Sequence, residues 1–266
     1  METITKPRTA VNNGRLWGAR NRDWAALQEP QFEAAYQAVF DRLRVGADMS
    51  YCDVGCGSGL AAAMAASRGA KVTGLDAAEN LLAIARERTP AADFRQGDLE
   101  DLPFENKSFD AVTGFNSFQY AGNPVIALQE AGRVTKPGGH IVVMTWGPPE
   151  SMQAAALVAA LKPLLPPPPP GAPGPFALSD ESALRSLVES AGLKPVEVND
   201  VECIWRYRNL DEGLRGLGSA GVAVRAEENT SREALDKAHA AALAPFVRDD
   251  GSYEVRAVFR WLLASV

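Results

Sequence analysis

Apolar side chains recur at Phe32, Ala35, Tyr36, Val39, Phe40 and Leu43. That spacing of i, i+3, i+4, i+7, i+8 and i+11 predicts an amphipathic helix. Pro30 stands near its start and Gly46 closes it. Beyond Gly46 the pattern changes. Short apolar runs predict strands beginning near Met49, over 70–75 with Asp76 at the end, over 92–96, over 108–115 and over 140–146. Helical stretches separate them. One is the alanine-rich 60–68. Another is 77–88, with Leu81, Ile84 and Ala85 facing inward. A third opens at Asn123-Pro124, a cap and first-turn pair, with Leu128, Ala131 and Val134 inward. Strands alternating with helices predict a mostly parallel sheet covered on both faces.

The second half is less regular. Residues 151–165 predict a helix. Five prolines at 166–170, with Pro163, Pro173 and Pro175 nearby, predict a stiff polyproline II path inside one domain. Leu184, Leu187, Val188 and Ala191 form a helical stripe stopped by Gly192. Residues 196–207 predict a sixth strand whose apolar phase switches between Val198 and Val201, as a bulge would require. Tyr253, Val255, Ala257, Phe259 and Trp261 alternate with polar residues and predict a seventh. Between these two strands, 209–250 read as helical. Leu210, Leu214 and Leu217 form one stripe, and Thr230-Ser231-Arg232-Glu233 matches a capping box. The N-terminal residues 1–14 read as poorly ordered. Trp17 and Trp24, seven apart, suit one helical face, either as packing or as a flap over a ligand.

Tyr51-Cys52-Asp53-Val54-Gly55-Cys56-Gly57-Ser58-Gly59 lies between the first strand and the helix at 60–68. Glycine adopts positive φ and lets a ligand approach the backbone. A strand, a glycine turn and a helix N-terminus together make a nucleotide cradle. Asp76 follows Gly57 by nineteen residues, where an acid can accept from ribose hydroxyls or cap a helix. A dinucleotide fold calls for G-x-G-x-x-G/A, and Leu60 occupies the third small position.

Composition narrows the partners. The net charge is -6 and the pI about 5.1, with Lys and Arg scattered, a poor match to a phosphate backbone. No uncharged apolar run reaches the ~18 residues of a membrane span, and residues 1–9 show no secretory apolar core. Cys52, Cys56 and Cys203 have no framework spacing. They read as structural thiols of a cytoplasmic protein, and no metal site is indicated.

The motif around Asp53 resembles motif I of the class I S-adenosylmethionine-dependent methyltransferases. The likeness sharpens downstream. Gly97-Asp98 followed by Leu102-Pro103-Phe104, then Ser108-Phe109-Asp110-Ala111-Val112, then Arg133-Val134-Thr135-Lys136-Pro137-Gly138-Gly139 resemble the ubiquinone/menaquinone-biosynthesis (methyltransferase type 11) branch. The match runs from 51 to 146. It implies a Rossmann-like three-layer α/β/α sandwich, with a seven-stranded, mostly parallel sheet whose last strand is antiparallel. Residues 1–48 then form a helical cap, 49–208 with 251–266 the core, and 209–250 a helical insertion acting as a substrate lid.

The resemblance also implies S-adenosylmethionine as cofactor. Asp53, Gly55, Gly57 and Gly59 hold its methionine end. Asp76 takes the ribose hydroxyls, Ala77 lies beside the adenine, and Asp98 with the Leu99 N–H reads the adenine edge. Phe115, Asn116 and Ser117 lie near the methionine moiety. Methyl transfer is an in-line displacement that needs proximity, desolvation and, for a weak nucleophile, a base. Trp17, Trp24, Phe118, Gln119 and Tyr120 are candidate contacts to a small apolar or aromatic acceptor. No catalytic residue is assigned. Related sequences often carry histidines after the fourth strand, where this chain has Gln119, which cannot be a base. His140 reads as structural and His239 as solvent-facing. The Asn/Asp-Pro-Pro-Tyr/Phe motif of nucleic-acid amine methylation is missing, which favours a small molecule. Alternatives are a non-catalytic cofactor-binding module and, further off, a nicotinamide-dependent oxidoreductase.

Overall fold

The computed structural model describes residues 9–168 and 174–266. The predicted disorder of residues 1–8 and part of the proline run lie outside them. Residues 10–14 correct the disorder expectation, because helix α1 spans Ala10–Gly18. A short α2 (Asn21–Asp23) leads through a π turn (Trp24–Gln28) and a 3-10 turn (Glu29–Phe32) into α3 (Glu33–Leu43). Helix α3 buries the predicted stripe. It stops before Gly46, because Arg44 takes the left-handed conformation and Val45 N–H donates back to Phe40 O.

Strands and helices then alternate: β1 (Ser50–Val54), α4 (Leu60–Ser67), β2 (Lys71–Asp76), α5 (Glu79–Arg88), β3 (Asp93–Gln96), β4 (Phe109–Phe115), α6 (Pro124–Val134) and β5 (Thr135–Trp146). After α7 (Ala154–Ala160) and α8 (Glu181–Ser190) come β6 (Lys194–Tyr207), three helices α9 (Leu210–Gly218), α10 (Gly221–Asn229) and α11 (Arg232–Leu243), and β7 (Tyr253–Ser265). The sheet order is β3-β2-β1-β4-β5-β7-β6, with β7 antiparallel to both neighbours and the first five strands parallel.

Alternation along the central strands fills two cores. Tyr51, Ala111, Phe115, Val142 and Met144 face one layer, with α3 and α4; Cys52, Val112, Ile141 and Val143 face the other, with α6 and α8. Burying each large side chain contributes about 1.5–3 kcal/mol. Asn123 caps α6 as predicted, accepting from Val125 N and Ile126 N.

Four local expectations need correction. The β6 irregularity sits between Pro195 and Glu197, not between Val198 and Val201. On α5, Leu82 is buried where Ile84 was expected, and Ile84 is only partly covered. Leu210 is exposed, because the inner face of α9 is made by Gly213, Gly216 and Leu217. Helix α11 starts one residue late for the capping box: Ser231 accepts from Ala234 N, and Glu233 has no reciprocal place.

Candidate active site

Strand β1 pairs with β2 on one side and β4 on the other. Connections leave β1 in opposite directions, so a crevice opens beyond the carboxyl ends of these strands. The glycine turn leaves β1 there, Asp76 ends β2, and Asn116 follows β4. Gly55 has φ of +77°, and a side chain there would run into Ser117. Both the angle and the close approach therefore demand glycine. Asp76 fixes the turn by accepting from Gly57 N and Ala78 N, each at 2.8 Å. Each carboxylate oxygen has further lone-pair capacity for a hydroxyl. Asn116 holds φ of +53°, a strained angle that Asn tolerates better than most residues, and its N–H donates to Met144 O.

Three acids surround this turn, Asp53 and Glu29 buried and Asp76 half-buried. Asp53 accepts from Thr113 Oγ1 at 2.9 Å, and burial pushes its carboxyl up to about 7. Burial also raises Asp76 against its backbone hydrogen bonds. Glu29 is raised by burial despite its ion pair with Arg88. Glu29 also accepts from Ser58 Oγ at 2.6 Å and Leu60 N at 3.3 Å, so it ties the N-terminal segment to the start of α4. Nothing in the sequence marked Glu29, because an acid beside Pro30 reads as an ordinary solvated helix start.

A cavity over the turn brings together Gly55, Gly57, Asp76, Ala77, Asp98, Leu99, Phe115, Asn116 and Ser117 from the expected cofactor set. Asp53 lies behind its wall. Gly59 caps α4 and packs against Ala85. Helix α1 roofs the cavity: Thr9 Oγ1 and Asn13 Nδ2 both donate to Tyr120 O, and Gly14 rests on the Ala77 carbonyl.

A second cavity, about 480 Å³, adjoins the first, and Trp17, Trp24, Phe32, Asn116 and Tyr120 line both. Trp17 and Trp24 meet edge-on at 5.0 Å across the break at Arg20, not along one helix. Gln119 lines the second cavity and donates to Asn116 Oδ1 at 3.3 Å. Phe118, expected at the acceptor, instead packs in the core beneath Gly114. Trp146 and Trp205 complete the wall, 5.9 Å apart, two rings within predicted strands that sequence reasoning did not single out. His140 sits on β5 between Ala111 and Ser265.

His239 corrects its expectation. It is buried rather than solvent-facing and lines the second cavity. Burial holds its imidazole down near 4, with Arg232 and Arg20 acting in the same direction and Asp236 against. Seven buried polar side-chain atoms have neither a hydrogen-bond nor an ion-pair partner among the described residues, and five of them (Trp24 Nε1, Ser117 Oγ, Gln119 Oε1, Trp205 Nε1 and His239 Nδ1) belong to cavity-lining residues. Buried polar groups are normally satisfied, so this concentration marks a place for ligands.

Residues 52–143 match the methyltransferase-domain family. The chain is 31% identical over 226 residues to a demethylmenaquinone methyltransferase of Renibacterium salmoninarum, covering 80% of this chain and 87% of that one. It is 41% identical over 112 residues to the biotin-biosynthesis bifunctional protein BioHC of Cellvibrio japonicus, a match to 42% of this chain and only 21% of that protein. A solved structure from Bacillus halodurans C-125, provisionally named a methyltransferase, shares the fold with a TM-score of 0.57 at 17% identity, covering 86% of this chain and 97% of that one. The chain belongs to the class I S-adenosylmethionine-dependent methyltransferases, in their quinone-biosynthesis branch.

The donor set fits that cofactor. S-adenosylmethionine carries a sulfonium and an ammonium against one carboxylate. Three acids, two of them buried, partnered by one guanidinium favour a cationic ligand and oppose an anionic pyrophosphate. Among the described residues, no helix is long and apolar enough to cross a membrane, and no group of three or more His, Cys, Asp or Glu could hold a metal ion.

Proposed function

We propose that the protein methylates an uncharged, apolar small molecule held in the second cavity. The observation that carries this reading is the cavity wall. Trp17, Trp24, Trp146, Trp205 and several leucines line it, and no Asp, Glu, Lys or Arg does among the described residues. A carboxylate, phosphate or ammonium on the buried part of the acceptor would be desolvated there without a partner. An aromatic or isoprenoid-like body is recognised instead by shape and area.

The cofactor residues take the roles expected of them in this reading. Asp76 receives ribose hydroxyls, Asp98 and the Leu99 N–H read the adenine, Ala77 lies beside it, and the turn with Phe115, Asn116 and Ser117 seats the methionine end. Asp53 acts from behind the turn as a charge. Bound S-adenosylmethionine supplies a methyl group activated by its sulfonium. The strained Asn116, held by Gln119, orients the wall shared by the two cavities. Helix α1 with α9–α11 closes the site as a lid, supported by the ion pairs Arg15–Glu228 and Arg20–Glu227. Water exclusion follows from that closure. Three free, buried cysteines support a cytoplasmic location.

The test is calorimetric titration with S-adenosylhomocysteine, with NAD in parallel, on wild type and Asp76→Ala. Micromolar binding of the first ligand only, weakened about a hundredfold by loss of two charge-assisted hydrogen bonds in the variant, is expected. NAD binding, or an unchanged affinity in Asp76→Ala, would refute it. Methyl transfer is then read with a panel of neutral aromatic alcohols against their carboxylated analogues, with turnover confined to the neutral members.

A further inference from the structure

We propose that His239 is a specificity-determining residue, hydrogen-bonding a hydroxyl on the otherwise apolar acceptor. The inference rests on the apolar-acceptor reading above and adds the polar group that the acceptor carries. His239 comes from α11, in the helical insertion, and is 2% exposed. It lines the second cavity but not the first, so it addresses the acceptor away from the wall shared with the cofactor.

Its Nδ1 has no hydrogen-bond partner. A neutral imidazole carries one donor and one acceptor nitrogen. An unsatisfied buried nitrogen is costly, and a hydroxyl can satisfy either kind. The charged groups acting on the ring are Asp236 and Arg232 on its own helix and Arg20 from the segment between α1 and α2. Their balance and the burial keep the ring uncharged at neutral pH. That matters because an imidazolium would repel the cationic cofactor next door. Three other unpartnered atoms of the same wall, Gln119 Oε1, Trp24 Nε1 and Trp205 Nε1, offer one acceptor and two donors. His239 is the one side chain of the described wall with a basic atom at neutral pH, so it separates an alcohol or phenol from its hydrocarbon analogue most sharply.

The test uses 2-naphthol and naphthalene as matched probes, measured by equilibrium dialysis against the protein saturated with S-adenosylhomocysteine. Wild type is expected to prefer 2-naphthol about tenfold, the size of one net hydrogen bond. His239→Leu should bring the two affinities together while binding naphthalene at least as well. His239→Gln, which keeps donor and acceptor atoms, should recover most of the preference. S-adenosylhomocysteine affinity should stay within about twofold in both variants, since neither touches the first cavity. Wild type retaining neither probe would overturn the apolar-acceptor reading and this assignment with it. Wild type binding both, with His239→Leu keeping the preference or losing both probes, would overturn only the assignment.

Discussion

Asp53 offers the sharpest test of the electrostatic logic at the glycine turn. Its carboxyl is almost fully enclosed and titrates near 7 rather than at its ordinary 3.8, chiefly through burial, with the Thr113 hydroxyl opposing and Glu29 and Asp76 adding to it. At pH 6 the free protein therefore holds a proton on Asp53 in about ten molecules of eleven, and at pH 8 in about one of eleven. A cationic ligand prefers the ionised form, so binding at low pH must expel that proton. If the bound carboxyl returns below about 5, affinity for S-adenosylmethionine should tighten about tenfold between pH 6 and pH 8, worth about 1.4 kcal/mol. Titration calorimetry at pH 6 in two buffers of different ionisation enthalpy should detect close to one proton released per site. Asp53→Asn should release none from this position and show a flat dependence, at an affinity near that of wild type at pH 6. The ligand's own amino group, Glu29 and Asp76 titrate in both proteins and cancel in the comparison. Equal proton release from wild type and variant would show that the buried charge plays no part in binding the cation.

Two further outcomes follow from packing and burial. Gly14→Ala would place a methyl 2.8 Å from the Ala77 carbonyl carbon and closer still to its oxygen, whereas the nearest atoms to a methyl at Gly18 are an ordinary 3.5 Å away. Lifting α1 by about 1 Å should weaken S-adenosylhomocysteine binding about tenfold in Gly14→Ala, while Gly18→Ala leaves it unchanged and gains about 0.5–1 kcal/mol of helix stability; equal affinities in the two variants, by calorimetry, would refute the roof assignment. For His239 the folded value near 4 lies below the ordinary 6.5, so its neutral burial stabilises the fold above about pH 6.5, and this is lost as pH falls toward 4. Urea unfolding should then show wild type losing about 3 kcal/mol more than His239→Leu between pH 7.5 and 4.5, and parallel losses would sink the burial argument.

What the sequence disclosed and what it hid divide along physical lines. The strand-helix alternation and the capped start of α6 follow from local periodicity and turn chemistry, which act over a few residues, while the antiparallel direction of β7 rests on the family resemblance. The nine cavity-lining residues of the expected cofactor set rest on the family resemblance, and they share one cavity because they lie beyond the carboxyl ends of neighbouring strands. Glu29 and His239 could not be found that way. Their burial depends on which distant element packs against them: α4 and Arg88 for Glu29, and α7 and α9 against α11 for His239. Neither contact leaves a period in the chain. Phe118 shows the converse failure, since an aromatic near the site turned inward when Gly114 left room beneath it.

The same division explains how one crevice serves two chemistries. Around the turn, partly compensated carboxylates attract positive charge, and burial makes each of them count for more than it would in water. A few ångströms on, past Trp24 and Asn116, the wall carries no charge among the described residues. A methyl transfer that disperses a localised positive charge toward a neutral acceptor is favoured where water cannot restabilise the starting cation. In the proposed reading, the lid of α1 with α9–α11 supplies that dryness. Opening it by breaking Arg20–Glu227 should therefore slow turnover more than it weakens binding of the cofactor product, since the acids at the turn remain in place.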